Sequence, residues 1–315
     1  LGYINSFLMI YKNRKKNPVD VIYLYSNTFS DIWFYFFLSR LLNIILIQEK
    51  SEYPFVLKNQ SFIGKIYAKF YLSTIYKLFD GMVIETQTLI DYFKKLIGKK
   101  TKICRIPMTV DIERFENIEK TRQYGEYIAY CGNMQKKDGV DLLINAFASI
   151  ANKFPDIKLL LIGKCKDELY EEYKSHVKIL GLDHQIIFTG KVSSDEVPIY
   201  LCNAKALVLA SPSSLRSQGS LPCKLGEYLS TSNPVIVTSV GEISVYLKDN
   251  YNAFIAEPDN VNSFAYKIDL LLSDKFDNSE IGKQGKIVAE KFFNSENQAA
   301  SMIEFFKKLK MEKYG

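Results

Sequence analysis

The chain has 315 residues, 47% of them hydrophobic, and 41 Lys/Arg against 35 Asp/Glu for a net charge of +6. That length holds about two domains with real cores, and so modest a charge gives no reason to expect a nucleic-acid partner. Five scattered cysteines, Cys104, Cys131, Cys165, Cys202 and Cys223, fit a reducing cytoplasm, and no stretch reaches the roughly 18 uninterrupted apolar residues of a membrane span.

In chain order, DVIYLY (20–25), NIILI (43–47), GMVI (81–84) and KICRI (102–106) read as strands separated by helical segments, an α/β half-domain. The apolar run from Ile32 to Ile47, broken by Ser39, Arg40 and Asn43, reads as helix then strand. Basic clusters (Lys12 to Lys16, Lys94 to Lys102) stand beside many aromatics, Trp33 to Phe37 among them, a combination that anionic lipid head groups attract; the competing reading makes those rings the packed face of a helix. A charged polar stretch from Glu116 to Gly125 suits a linker.

Beyond it, YIAYC (127–131) is a strand, Gly132 and Asn133 begin a turn, and Asp138 can cap a helix whose Leu142, Leu143, Ala146, Phe147 and Ile150 recur at helical spacing. Lys137 therefore stands beside a helix start. KALVLA (205–210) and PVIV (234–237) are short buried strands, so the helix between them belongs to a βαβ unit and opens at the sheet's carboxyl edge, where open α/β sheets bind ligands. Pro222 suits the first helical position, and Gly219 and Ser220 before it allow close backbone approach to an anion. Glu227 lies a little over one turn inside and leans back toward the same mouth. A carboxylate beside a phosphate would repel it; two neutral ribose hydroxyls suit it. At the far end, residues 295–313 read as a helix with Ala299, Met302, Ile303, Phe306 and Leu309 on one face. Metal chemistry finds little support: there is no Asp-x-Asp, and His176 and His184 have no ligand-spaced neighbour.

PCKLGEYLSTSNPVIVTSVGEISVYLKDNYNAFIAEPDN resembles the donor-binding segment of the family 4 glycosyltransferases, retaining, metal-independent enzymes of GT-B fold. CGNMQKKDGVDLLINAF resembles the first strand, glycine loop and helix of their C-terminal domain, and KLLLIGKCKDE and IIFTGKVSSDEVPIYLCNAKALVLASPS keep the order between them. The similarity covers most of residues 105–295. It implies an α/β protein of GT-B architecture, two Rossmann-like domains facing a cleft. The N-terminal one, 1–118, would be acceptor-side and incomplete, lacking its first strands; residues 119–294 would bind the donor, and 295–315 would form a helix packing back toward the N-terminal domain.

The family's pair of glutamates has seven residues between its two members. Glu227 matches the second, while Gly219 stands where the first would fall, so the backbone of Gly219, Ser220 and Leu221, with Gln218 as a neighbour, replaces it. By the same resemblance Lys137, or alternatively Lys136, reaches the donor diphosphate. The two helix mouths near Gly132 and Gly219 receive it as well, with Asn133 and Pro222 among the donor-binding residues, and Gly190, Lys191 and Val192 lie along the base. Lys224 either pairs with the carboxylate or reaches phosphate. Where the family often carries a histidine, this chain has QEKSEYP, whose Glu49 and Glu52 are candidates to orient the acceptor hydroxyl or take its proton.

The expected activity is transfer of a hexosyl group from a UDP- or GDP-sugar to a glycan or lipid-linked glycan, as in bacterial polysaccharide biosynthesis, with no cofactor and no metal. The expected setting is cytoplasmic, with peripheral contact at the anionic inner face of the membrane. A non-catalytic nucleotide-sugar-binding scaffold is the alternative reading, and a sugar-nucleotide epimerase a more distant one.

Overall fold

The computed structural model describes residues 2–13, 16–58, 61–121 and 123–314. Contacts gather into two units, one reaching to Pro107 and resuming at Asn297, the other spanning Met108–Glu296.

The first unit is built on four parallel strands, β1 (Val21–Leu24), β2 (Ile45–Lys50), β3 (Gly81–Ile84) and β4 (Lys102–Arg105), hydrogen-bonded in chain order. Its helices are α1 (Gly2–Asn13), α2 (Phe29–Leu41), α3 (Phe62–Thr74) and α4 (Gln87–Phe93). Side chains alternate across a strand. Leu46, Met82 and Ile84 accordingly join Tyr71, Tyr76 and Phe93 in one core, while Ile45, Ile47 and Val83 face the other way and are covered by Leu309 of the last helix, Ser295–Tyr314. At Gly81 a Cβ would lie 2.9 Å from Leu309 Cδ1, so the glycine lets that helix seat closely. The helix presents Met302, Phe305, Phe306 and Leu309 to the sheet; Ala299 and Ile303, expected on the same face, are exposed.

β2 runs to Lys50 and so includes Gln48 and Glu49, which the sequence placed after the strand. Pairing with β3 (Gln48↔Met82, Glu49↔Val83, Lys50↔Ile84) overrides their polarity. Trp33 to Phe36 are half-buried against the core, and only Phe37 of the aromatic run is exposed. No helix among the described residues is long and apolar enough to cross a membrane.

The second unit carries β5 (Tyr127–Cys131), β6 (Lys158–Ile162), β7 (Ile186–Gly190), β8 (Ala206–Leu209), β9 (Val235–Thr238) and β10 (Phe254–Ala256), all parallel in the order β10-β9-β8-β5-β6-β7. Strands added after β5 run outward on one side, and those from β8 on the other. The order therefore reverses between β5 and β8, and the carboxyl ends of these two neighbours diverge into a crevice. α5 (Val140–Ala148), α6 (Asp167–Ile179), α7 (Val197–Cys202), α8 (Leu215–Gly219) and α9 (Cys223–Ser230) fill the connections. Near-continuous apolar strands and the fully buried Leu143 and Phe147 of α5 form the core, as a sheet covered on both faces requires.

Met108, Val110, Ile112 and Phe115 are buried in this second core, and Val110 N–H donates to Phe293 O (2.8 Å) while Ser295 N–H donates to Val110 O (3.0 Å). That anchoring puts the division ahead of the 118/119 boundary drawn from sequence.

Candidate functional site

Three glycines with left-handed or otherwise positive φ line the carboxyl edge of the second sheet: Gly132 (152°) after β5, Gly163 (131°) after β6 and Gly190 (75°) at the end of β7. They interlock. Gly132 N–H donates to Ile162 O and Gly163 N–H to Gly190 O, both at 2.9 Å, and a Cβ on Gly163 would fall 2.1 Å from Gly132 O. Gly132's own amide is thus occupied within the sheet edge. Asn133 is exposed; its carbonyl accepts from Tyr130 Oη at 3.0 Å.

Asp138 does not cap α5. It ends a 3₁₀ turn, Lys136–Asp138, accepting from Gln135 N–H (3.1 Å), and Gly139 in the left-handed region intervenes before the helix. Its free carboxylate oxygen instead meets Lys224 Nζ at 3.3 Å. The Lys224 stem lies over Gly132, where a Cβ would come 2.0 Å from Lys224 Cε, and its ammonium sits 5.2 Å from the Tyr130 ring centroid. Lys224 therefore pairs with the Asp138 carboxylate and not, as expected, with that of Glu227. Lys136 turns away to Glu172 (3.2 Å), whereas Lys137 is exposed at the loop and makes no ion pair among the described residues.

α9 is held against β5 by Tyr228, fully buried, whose hydroxyl accepts from Cys131 N–H at 2.6 Å and donates to Cys131 O at 3.3 Å. Burial pushes the neighbouring Cys131 thiol up to about 11, away from the thiolate form. Pro222 stands one position earlier than expected, as the residue before the first helical turn. Gly219 closes the short helix α8 rather than forming an open turn; the Ser214 side chain accepts from Ser217 N–H and starts that helix. Ser220 then leads in extended backbone to Leu221, whose side chain is buried. At the start of α9 Leu225 N–H donates to Pro222 O at 2.9 Å, and this end of the helix carries the positive end of its dipole.

Glu227, half-buried one turn further, is met by a residue that sequence reasoning did not single out. Arg114 Nη1 lies 3.6 Å from Glu227 Oε1, and its Nη2 donates to Ser194 O at 2.8 Å. One guanidinium thus ties α9 to the loop after β7 that carries Lys191 and Val192. Lys191 is exposed and Val192 packs partly on the core. Burial raises the Glu227 carboxyl above its ordinary range, and the Arg114 and Lys224 charges oppose that rise. A cavity of about 230 Å³ opens beside it, lined by Thr109, Val110, Asp111, Arg114, Cys223, Lys224 and Glu227. A second, of about 420 Å³, lies outside β5 and β6, lined by Asn133, Gln135, Lys164, Cys165, Lys166 and Asp167. Gly132, Lys224 and Glu227 therefore gather at the β5/β8 crevice; Gly190 adjoins it through Gly163, and Arg114 ties the loop after β7 to Glu227 through Ser194.

In the first unit Glu49 accepts from Tyr23 Oη at 2.9 Å, and Glu52 is exposed. Between them Lys50 is buried and bonded to Asn27, and burial brings its amine down to about 7, with Glu49 working against that fall.

The arrangement has counterparts. A family model described as "Glycosyl transferases group 1" matches residues 111–288. An uncharacterised glycosyltransferase of Methanocaldococcus jannaschii is 32% identical over 163 residues (52% of this chain, 43% of that protein), and mannosylfructose-phosphate synthase of Agrobacterium fabrum is 27% identical over 200 residues (58% and 43%). The chain spans less than half the length of these two curated relatives. The structure of Anabaena HepE in complex with UDP superimposes with a TM-score of 0.76 at 16% identity, covering 95% of this chain and 81% of that one. The two parallel α/β units have the GT-B fold, and the chain belongs to the glycosyl transferases group 1 family.

Proposed function

We propose that this chain is a retaining, metal-independent hexosyltransferase of family 4 that moves a sugar from a nucleotide-sugar to a hydroxyl of a glycan or lipid-linked glycan. The observation that carries the reading is the pairing, at the β5/β8 crevice, of one helix mouth with two side chains of opposite charge one turn apart, Lys224 over Gly132 and Glu227 beside a cavity. Two charges of opposite sign suit a ligand with an anionic end and a neutral, hydroxyl-bearing end. Glu227 holds the ribose hydroxyls. The first amides of α9, Lys137 and Lys224 receive the diphosphate, and Gly190, Lys191 and Val192 border the base. The backbone of Gly219, Ser220 and Leu221 faces the sugar.

In the reaction the anomeric carbon's bond to phosphate oxygen breaks, and the nucleoside diphosphate leaves with the electron pair. The acceptor oxygen bonds to the same face of that carbon, and its proton passes to the departing phosphate. Fixed cations and amides stabilise the charge that develops there, which is why no metal is needed. Glu49 and Glu52 orient the acceptor hydroxyl. The neighbour solved with UDP supports a uridine nucleotide as the first donor to try. With a lipid-linked acceptor the protein works in the cytoplasm, in peripheral contact with the inner face of the membrane.

A thermal-shift screen of UDP, GDP and ADP with their sugar conjugates identifies the nucleotide, since a ligand bound only by the folded state raises the melting temperature. Transfer is then followed by NMR of the new glycosidic bond, with and without EDTA. An inverted anomeric centre, or activity abolished by EDTA, refutes the retaining metal-independent reading.

A further inference from the structure

The helix α3 contradicts the usual economy of a surface helix. Phe62 and Ile63 are each 79% exposed, and Ile66, Tyr67 and Phe70 are exposed as well. At 100° per residue these five fall within an arc of about 140° on the helix. The opposite side, Gly64 and Tyr71, is the buried one. Lys65 and Lys69 stand along one border of the apolar arc, and the helix contains no Asp or Glu.

The arc does not stop at α3. Phe70 meets Phe29 of α2 (ring centroids 6.3 Å apart), Phe29 meets Trp33 (6.0 Å), and Trp33 meets Phe37 (5.4 Å), itself 61% exposed. Scattered exposed apolar residues are normal, but a contiguous strip across two helices marks a surface that binds something. Charge says what. Residues 1–79 hold ten Lys/Arg against four Asp/Glu, a balance of +6, which is the whole net charge of the chain; the remainder carries thirty-one of each. An apolar strip bordered by lysines, in the part of the chain that holds its entire charge excess, complements a plane that is apolar below and anionic above.

We propose that the exposed face of α3, continued by Phe29 and Phe37 of α2, docks the protein on an anionic phospholipid surface. The membrane contact suggested by the proposed function is thereby given its surface, which is α3 and not the run Trp33 to Phe37 as a whole. The helix lies in the interface, with Phe62, Ile63 and Ile66 among the acyl chains and Lys65 and Lys69 at the phosphates.

The test is flotation of the whole chain with equimolar phosphatidylglycerol–phosphatidylcholine vesicles and with pure phosphatidylcholine vesicles, without nucleotide. Binding is expected to the anionic vesicles and to fall several-fold between about 0.05 M and about 0.5 M NaCl. The double change Ile63→Glu with Ile66→Glu is expected to lower the bound fraction about tenfold, and Lys65→Glu with Lys69→Glu to reproduce the loss at high salt. All four side chains are exposed, so unchanged circular-dichroism melting and UDP thermal shifts separate this result from failure of the donor-site reading. Wild-type protein that ignores anionic vesicles overturns the proposal, as does flotation indifferent to both double changes. A chain that elutes as a dimer, becomes monomeric with Ile63→Glu/Ile66→Glu and never floats would assign the face to a second copy instead.

Discussion

The carboxyl edges of the two sheets are built in opposite ways. In the second unit the edge is backbone: Gly132, Gly163 and Gly190 keep it free of Cβ atoms, and charged side chains arch over it with part of their surface in water. In the first unit the corresponding edge is filled with side chains. Gln48 and Lys50 are buried there, and Gln48 Nε2 donates to Ser26 O at 3.1 Å. The same sheet geometry yields, in one case, room for a ligand of high charge, and in the other a polar plug in which a charge is costly. A diphosphate needs the first kind of edge; a neutral sugar hydroxyl can be met by the second.

The contrast can be broken most directly at Gly163. Gly163→Ala combines a φ of 131° with a Cβ 2.1 Å from Gly132 O, and it should destabilise the protein by on the order of 4 kcal/mol in urea unfolding, because neither backbone segment can yield cheaply. Next in size is the buried amine. In the unfolded chain Lys50 holds its proton up to its ordinary 10.5, but in the folded protein only to about 7. Stability should therefore rise with pH between about 7 and 10.5 and carry the full penalty below 7. Lys50→Met should remove that slope and raise stability near pH 6 by on the order of 3 kcal/mol, read from melting curves across pH.

Glu227→Ala should weaken UDP binding about thirtyfold in calorimetry while leaving the melting temperature within about 2 °C, since a charged acceptor of two hydroxyls is lost from a half-buried position. Arg114→Ala sharpens the same point with a smaller effect. Arg114 holds the Glu227 carboxyl down against burial, so its removal should shift the loss of nucleotide affinity on acidification to higher pH. Affinity at pH 7 should fall about threefold, the pair being partly screened. The smallest contrast is between neighbours: Lys137→Ala should cost about tenfold in diphosphate affinity, and Lys136→Ala, paired with Glu172 in water, almost nothing.

The elements that sequence patterns located best are those whose signal is local. YIAYC and GMVI are bounded by turn residues and coincide with β5 and β3. β2 was cut short because Gln48, Glu49 and Lys50 are poor strand formers, and only the ladder to β3 keeps them extended. In the candidate site, Glu227 was legible from its helix and the tilt of side chains toward the N-terminus. Its partner Arg114 was not, being 113 positions away with no periodicity linking the two. The Lys224–Asp138 pair spans 86 positions and was misassigned for the same reason, and Gly163 sits in a quoted strand end whose packing against Gly132 no one-dimensional pattern reveals. Local propensity finds elements; interactions between strand ends depend on a sheet order that reverses between β5 and β8.

The last helix completes the first unit from the far end of the chain. During synthesis Ile45, Ile47 and Val83 leave the ribosome long before Leu309, and the whole second unit emerges in the interval. One face of the β1–β4 sheet must wait uncovered for that time. Nascent chains stalled before residue 297 are accordingly the species that chaperones should bind, and removal of the final helix should leave a protein prone to aggregate through that face rather than a smaller soluble one.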